Sequence, residues 1–288
     1  MPKIAAVQMT SEASIKANLA NIEVFFKRAQ REQVELLVSD REAARFFEGN
    51  EKIALVGGPA VPFENDEIRY RAGGYILSSP FLVGFVSSRY QRFPHGFETK
   101  GEHLILANTL VVRSAFDAVG GFDVGQIPCE DGYFYFRLRE KGFHMLHAPE
   151  VFVWHRAKPV FKGLCKRVFL YGLGRGGVTA RNWKTMHPAY LVPSLFTLSL
   201  VVLPFLAIFS QAFLGLLVFE LWCYFLFDLA ISFSIFFNQE RRVAVWFLVF
   251  LAVPLVHMSY GLGVLYGIYV HIAKRGKTEM SFLRKFEA

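Results

Sequence analysis

The sequence predicts an α/β domain followed by an α-helical transmembrane region, and three observations carry that prediction. In the first half, short apolar runs bounded by Gly, Pro, Ser and Asp alternate with amphipathic stretches, the pattern of strands and helices in a layered α/β fold. From Thr185 to Phe219 there is no Asp, Glu, Lys or Arg. Three apolar runs, residues 189–209, 213–237 and 243–270, are each long enough to cross roughly 30 Å of hydrocarbon. The composition agrees: 53% of the 288 residues are hydrophobic and 31 are Phe.

Residues 3–9 (KIAAVQM) read as a buried strand. Residues 14–31 read as an amphipathic helix with Ile15, Leu19, Ile22, Phe25 and Phe26 on one face. Residues 34–38 read as a second strand, completing a β-α-β unit with parallel pairing. Residues 53–59 predict a strand ending in a Gly-Gly-Pro turn. Residues 73–92 are apolar and rich in Gly and Ser and are expected to line a cleft. Residues 104–112 predict another strand. Glu130 to Gly142 is a short amphipathic segment stopped by glycine, and residues 144–154 are two short strands around Ala148-Pro149.

The net charge is +8, and it is unevenly spread. Between Glu150 and Glu220 no acidic residue occurs, while Arg156, Lys158, Lys162, Lys166, Arg167, Arg175, Arg181 and Lys184 fall in that gap. They alternate with apolar residues directly before the first long apolar run, so residues 158–187 are expected to lie in the interface plane against an anionic membrane surface. No nucleic-acid-binding motif accompanies the patch, and nucleic acid is not an expected partner. Cys129, Cys165 and Cys223 are scattered and odd in number, which speaks against a disulfide framework or a zinc site. Residues 1–9 carry no signal-peptide pattern, so the first domain is expected on the cytoplasmic side of a multi-pass membrane protein.

The third apolar run holds Pro254 and several glycines. A full third crossing would carry Lys274, Arg275 and Lys277 outside, against the positive-inside rule. A kinked or re-entrant segment, or a tail lying on the membrane surface, removes the conflict. Gly263 and Gly267 form G-x-x-x-G, a motif that permits close helix contact. Glu220 and Asp228 fall within the second run, where an ionisable group is costly and marks either function or interhelical hydrogen bonding.

The sequence Val119-Gly120-Gly121-Phe122-Asp123, followed by Glu130-Asp131-Gly132 and an aromatic–Arg helix, resembles the acceptor half of family-2 glycosyltransferases of the GT-A type. The resemblance runs over residues 53–175. It takes in Val56-Gly57-Gly58-Pro59, Ala107-Asn108, Arg113, Phe116, Ala148-Pro149-Glu150 and Trp154-His155. It implies a shortened, Rossmann-like GT-A domain over residues 1–157, then the basic interfacial segment 158–187, two or three membrane helices in 188–271 and a basic tail, 272–288. Residues 1–38 also resemble the start of nitrilase-type carbon–nitrogen hydrolases, but the second strand runs into Ser39-Asp40 where that family has its catalytic Pro-Glu. Residues 1–38 are therefore read as a segment of foreign origin, or a chance match.

The implied activity is transfer of a sugar from a nucleotide-diphosphate sugar to a lipid-linked or cell-envelope glycan acceptor, with inversion. The resemblance makes Asp131 the base and Glu130 its neighbour; the plain alternative for Asp131 is a helix N-cap. Asp40 and Glu42 stand where the family holds Mg²⁺ or Mn²⁺ with Asp-x-Asp; the alternative is a solvated charge cluster. Arg175 and His155 are candidates for the diphosphate. Arg175 reads equally as an arginine facing lipid headgroups, and His155 as a histidine satisfied within the fold. Asn108, Arg113, Gly120 and Gly121 are implied at the acceptor. The family's donor-binding segment is shorter here, so a catalytically inactive membrane subunit or scaffold is the second reading.

Overall fold

A computed structural model describes residues 45–47, 52–123 and 129–273. The expected β-α-β unit of residues 3–38, Asp40, Glu42 and the basic tail from Lys274 lie outside the described residues.

Along the chain the strands are β1 (Ile53–Gly57), β2 (Ala60–Val61), β3 (Phe97–Thr99), β4 (Thr109–Val111), β5 (His144–His147) and β6 (Val153–Trp154). The helices are α1 (Ile68–Ser78), α2 (Pro80–Val83), α3 (Arg113–Ala118), α4 (Glu130–Glu140), α5 (Lys162–Arg181), α6 (Val192–Ala207), α7 (Gln211–Asn238) and α8 (Val243–Ala273). The larger sheet is mixed, in the order β3-β5-β1-β4. Its centre is β1, buried at every position, parallel to β5 and antiparallel to β4. That burial on both faces is why residues 53–57 read as an unbroken apolar run. A second pair, β2 with β6, is parallel.

Residues 73–92 are helical, forming the end of α1, α2 and a 3-10 turn (Gly84–Arg89), and only Arg89 of them lines the cavity described below. Gly73 and Gly74 serve close packing: a Cβ on Gly73 would lie 2.2 Å from the Lys158 carbonyl oxygen. Of residues 104–112 only β4 is strand, preceded by a 3-10 turn over Leu106–Asn108. Pro254 does not interrupt α8, which runs helically from end to end.

Three helices, Pro188–Ala207, Gln211–Asn238 and Val243–Ala273, are long and apolar enough to cross a membrane. One apolar core joins the last two of them to the sheet domain. Ala72 and Ile76 of α1, Val160, Leu164 and Val168, Ile231 and Ile235 of α7, and Val245, Val249 and Val253 of α8 share it. A separate cluster under the sheet gathers Leu55, Leu104, Ala115, Phe134, Tyr135, Leu138 and Met145.

Candidate active site

Helix α4 begins at Glu130 with Cys129 as its N-cap, in a left-handed conformation with φ of 97°. Asp131 is therefore not the cap but the second residue of the first turn. Its Oδ1 accepts from the Gly132 N–H at 2.6 Å, and Glu130 Oε2 accepts from the Cys129 N–H at 3.1 Å. Both carboxylates sit in the first turn of the helix, at the positive end of its dipole.

Facing this turn is a cavity of about 470 Å³ lined by Arg89, residues 98–103, Gly132, Tyr135, Phe136, Arg139, Arg175, residues 184–187 and Tyr190. Its walls come from five places, two of which are β3 with the residues after it and α4. Arg89 ends the 3-10 turn after α2, Arg175 comes from the middle of α5, and residues 184–190 are the approach to α6. The lining has five cationic side chains, Arg89, Lys100, Arg139, Arg175 and Lys184, against two carboxylates, Glu98 and Glu102. Glu98 is 2.6 Å from His144 Nδ1.

Two guanidinium groups define the site. Arg89 Nε donates to the Glu102 carbonyl at 2.8 Å, which aims the remainder of the group. Arg175 lies over the Tyr190 ring at 4.4 Å. Gly132 gives Arg175 room: a Cβ there would come within 3.4 Å of Arg175 Nη2 and 2.9 Å of Cys129 Sγ. Both arginines are half-buried, and among the described residues neither forms an ion pair. Burial works most strongly against the Arg89 charge, but the fields of Asp131, Tyr90 and Tyr190 together outweigh it and hold the pKa above the ordinary value. Burial pushes the Cys129 thiol up, opposed by Arg175, so Cys129 is a neutral wall and not a thiolate nucleophile. Cations held without carboxylate partners in a partly dry cavity call for an anionic ligand.

The sequence candidates divide. Glu130, Asp131 and Arg175 are brought together, with Arg175 in the cavity wall and not on the lipid side. His155 follows β6, facing Lys158 and Arg167, and burial lowers its pKa; it is not among the cavity-lining residues. Asn108 is buried, and its Nδ2 donates to Val151 O at 2.7 Å and Pro59 O at 3.4 Å. Arg113 is exposed and pairs with Asp117 at 2.8 Å. Gly120 and Gly121 both have positive φ, 75° and 67°, and the turn they make is clasped by Arg137, whose guanidinium donates to Val119 O and Gly121 O. Arg89 was not anticipated; an arginine after Val-Ser-Ser carries no pattern of its own.

The residues expected to hold Mg²⁺ or Mn²⁺, Asp40 and Glu42, are outside the described residues. Among the described residues no group of three His, Cys, Asp or Glu stands close enough to hold a metal ion. Arg89, Lys100, Arg139, Arg175 and Lys184 are the positive charges that line the cavity. No protein-family profile matches the chain, and no curated protein or solved structure was found similar to it.

Proposed function

We propose that this chain is a membrane-bound glycosyltransferase with a shortened GT-A domain, moving a sugar from a nucleotide-diphosphate sugar to an acceptor hydroxyl at the membrane surface. The observation that carries the reading is the Glu130–Asp131 turn, which borders the cavity through Gly132, with Asp131 acting electrostatically on two cavity guanidinium groups that form no ion pair among the described residues. Sugar transfer with inversion needs a carboxylate to take the hydroxyl proton and fixed positive charge to hold the departing diphosphate.

In this reading Asp131 is the base, using the oxygen not engaged by the Gly132 N–H. The proton moves from the acceptor hydroxyl to that oxygen as the hydroxyl oxygen bonds to the sugar carbon and the diphosphate leaves. Arg89 and Arg175 take up the charge on the leaving group, and guanidinium suits that task because it bonds phosphate bidentately. Residues 184–190 border the cavity on the side where the chain turns into α6, so an acceptor carried on a lipid reaches the site from the bilayer.

The test uses the full-length protein in lipid nanodiscs, offered radiolabelled nucleotide sugars and a lipid extract. Asp131→Asn is expected to keep nucleotide binding and to lower transfer by about 10²- to 10⁴-fold. Arg175→Ala is expected to weaken nucleotide binding. Wild-type transfer by the Asp131→Asn protein would overturn the assignment. Binding without transfer in the wild type would instead favour the inactive membrane subunit.

A further inference from the structure

We infer that α8 lies in the plane of the membrane as a platform between the sheet domain and the lipid, so that the chain crosses the bilayer only through α6 and α7. By length and composition α8 is the equal of the other two and packs on both, through Gly261 against Pro193 and Thr197 of α6 and through His257 against Tyr224 of α7, but it also has partners in the sheet domain. Just before its start, Glu240 Oε1 is 2.9 Å from Arg71 Nη2 of α1, and the Tyr75 hydroxyl of α1 donates to Glu240 Oε2 at 3.0 Å. Near its middle, His257 Nε2 donates to the Leu82 carbonyl of α2 at 3.1 Å. Further along, a Cβ on Gly263 would lie 2.3 Å from Phe169 O, and one on Gly267 2.2 Å from Leu173 O.

The last two contacts fix its depth. Gly172 and Gly176 of α5 face Tyr260 O and Val264 O in return. Position numbers rise together on both helices, so α5 and α8 run parallel through two interlocked G-x-x-x-G motifs. Helix α5 carries Lys162, Lys166, Arg167, Arg175 and Arg181, and Arg181 pairs with Asp123 of the sheet domain at 2.7 Å. A helix with five cations along 20 residues does not enter hydrocarbon. The half of α8 locked to it cannot lie deeper. The other half is held at Glu240 and Leu82, which belong to the same side.

The buried stripe of α8 therefore faces protein along its length, and its opposite stripe faces outward. Phe247, Leu251, Leu255, Leu262, Tyr269 and Ile272 are exposed there, from 43% to 69%. The occupant that fits is the acyl region of the leaflet on the domain's side. This stripe adjoins the lipid-facing α6–α7 hairpin, and the exposed Lys158, Lys162 and Arg167 beside it match anionic headgroups. The arrangement keeps the C-terminal end of α8, at Ala273, on the domain's side.

The inference rests on packing and is independent of the transferase reading. The test starts from full-length protein with Cys129, Cys165 and Cys223 replaced by Ala. Single cysteines Phe247→Cys, Leu255→Cys and Leu262→Cys carry a fluorophore, in bilayers doped with lipids bearing a quencher at a shallow or a deep position. All three are expected to quench at one shallow depth, while Leu216→Cys on α7 quenches deep. In sealed oriented vesicles, an impermeant maleimide is expected to reach Ala288→Cys and Lys100→Cys from the same side, and Ser210→Cys from the other. Deep quenching at Leu255 and Leu262, or labelling of Ala288→Cys together with Ser210→Cys, would overturn the inference. So would an absence of lipid quenching with cross-linking between copies, which would give the stripe to a second chain.

Discussion

Asn108 is the residue on which the geometry around the sheet turns. Its amide bridges the carbonyls of Pro59 and Val151, tying the end of β1 to the segment before β6. Asn108→Ala leaves two buried carbonyls without that donor, at a cost of about 1–3 kcal/mol. Thermal unfolding in detergent should show the loss, and a midpoint equal to wild type would refute the account. His147, fully buried, donates Nε2–H to Ser88 O at 3.1 Å. Burial holds His147, His103 and His155 below the ordinary value near 6.5. In the unfolded chain these rings bind protons at a higher pH than in the fold, so stability is intact above about pH 6.5 and falls as pH drops from there toward the folded values. Melting at pH 7.5 and 5.5 should show it, and His147→Gln should flatten the difference.

Among the elements, α5 and α8 depend most on small residues. A side chain at Gly172, Gly176, Gly263 or Gly267 meets the backbone of the other helix, not a movable side-chain end. Gly176→Leu is expected to force the helices apart and to lower stability by several kcal/mol. Gly215→Leu on α7, where a Cβ meets nothing within 4 Å, is expected to be neutral. Equal stabilities for the two variants would remove the close contact. The pairing also marks how far the sequence speaks. Residues 172–177 are rich in glycine, and Gly172 and Gly176 share the spacing of Gly263 and Gly267, a helix signature. Strands β1 and β5 were legible because buried strands read as apolar runs between turns. Helix α1 was not, because Gly73 and Gly74 read locally as loop while they make room for Lys158, and for Pro62 and Ala157, elsewhere in the chain. Asp131 and Arg175 were legible through motif and charge. Arg89 was not, because its role comes from where the 3-10 turn sets it.

Across the whole molecule, a buried acid is the polar link in the joint between the sheet domain and the membrane helices. Glu240 is 10% exposed and Arg71 14%, with Tyr75 on the other carboxylate oxygen and Arg242 at 3.3 Å. Removing one partner of a buried pair leaves the other charge stranded, typically at about 3–5 kcal/mol. Glu240→Ala is expected to loosen α1 from the α7–α8 connection and to speed hydrogen exchange in α1 and early α8, with β1 and β5 unchanged. Unaltered exchange in α1 would show that the joint lies elsewhere.

The core shared by Ala72, Ile76, Val249 and Val253 has a consequence for biosynthesis. Its two halves are separated by nearly the whole described chain, so α1 leaves the ribosome long before the helix that covers it. During that interval α1 and the glycine face of α5 are uncovered, and the sheet domain matures only after the α6–α7 hairpin has inserted and α8 has folded back. A chain stopped after Asn238 should insert into the membrane yet be cleared by quality-control proteases, and supplying residues 239–288 as a separate polypeptide should rescue it.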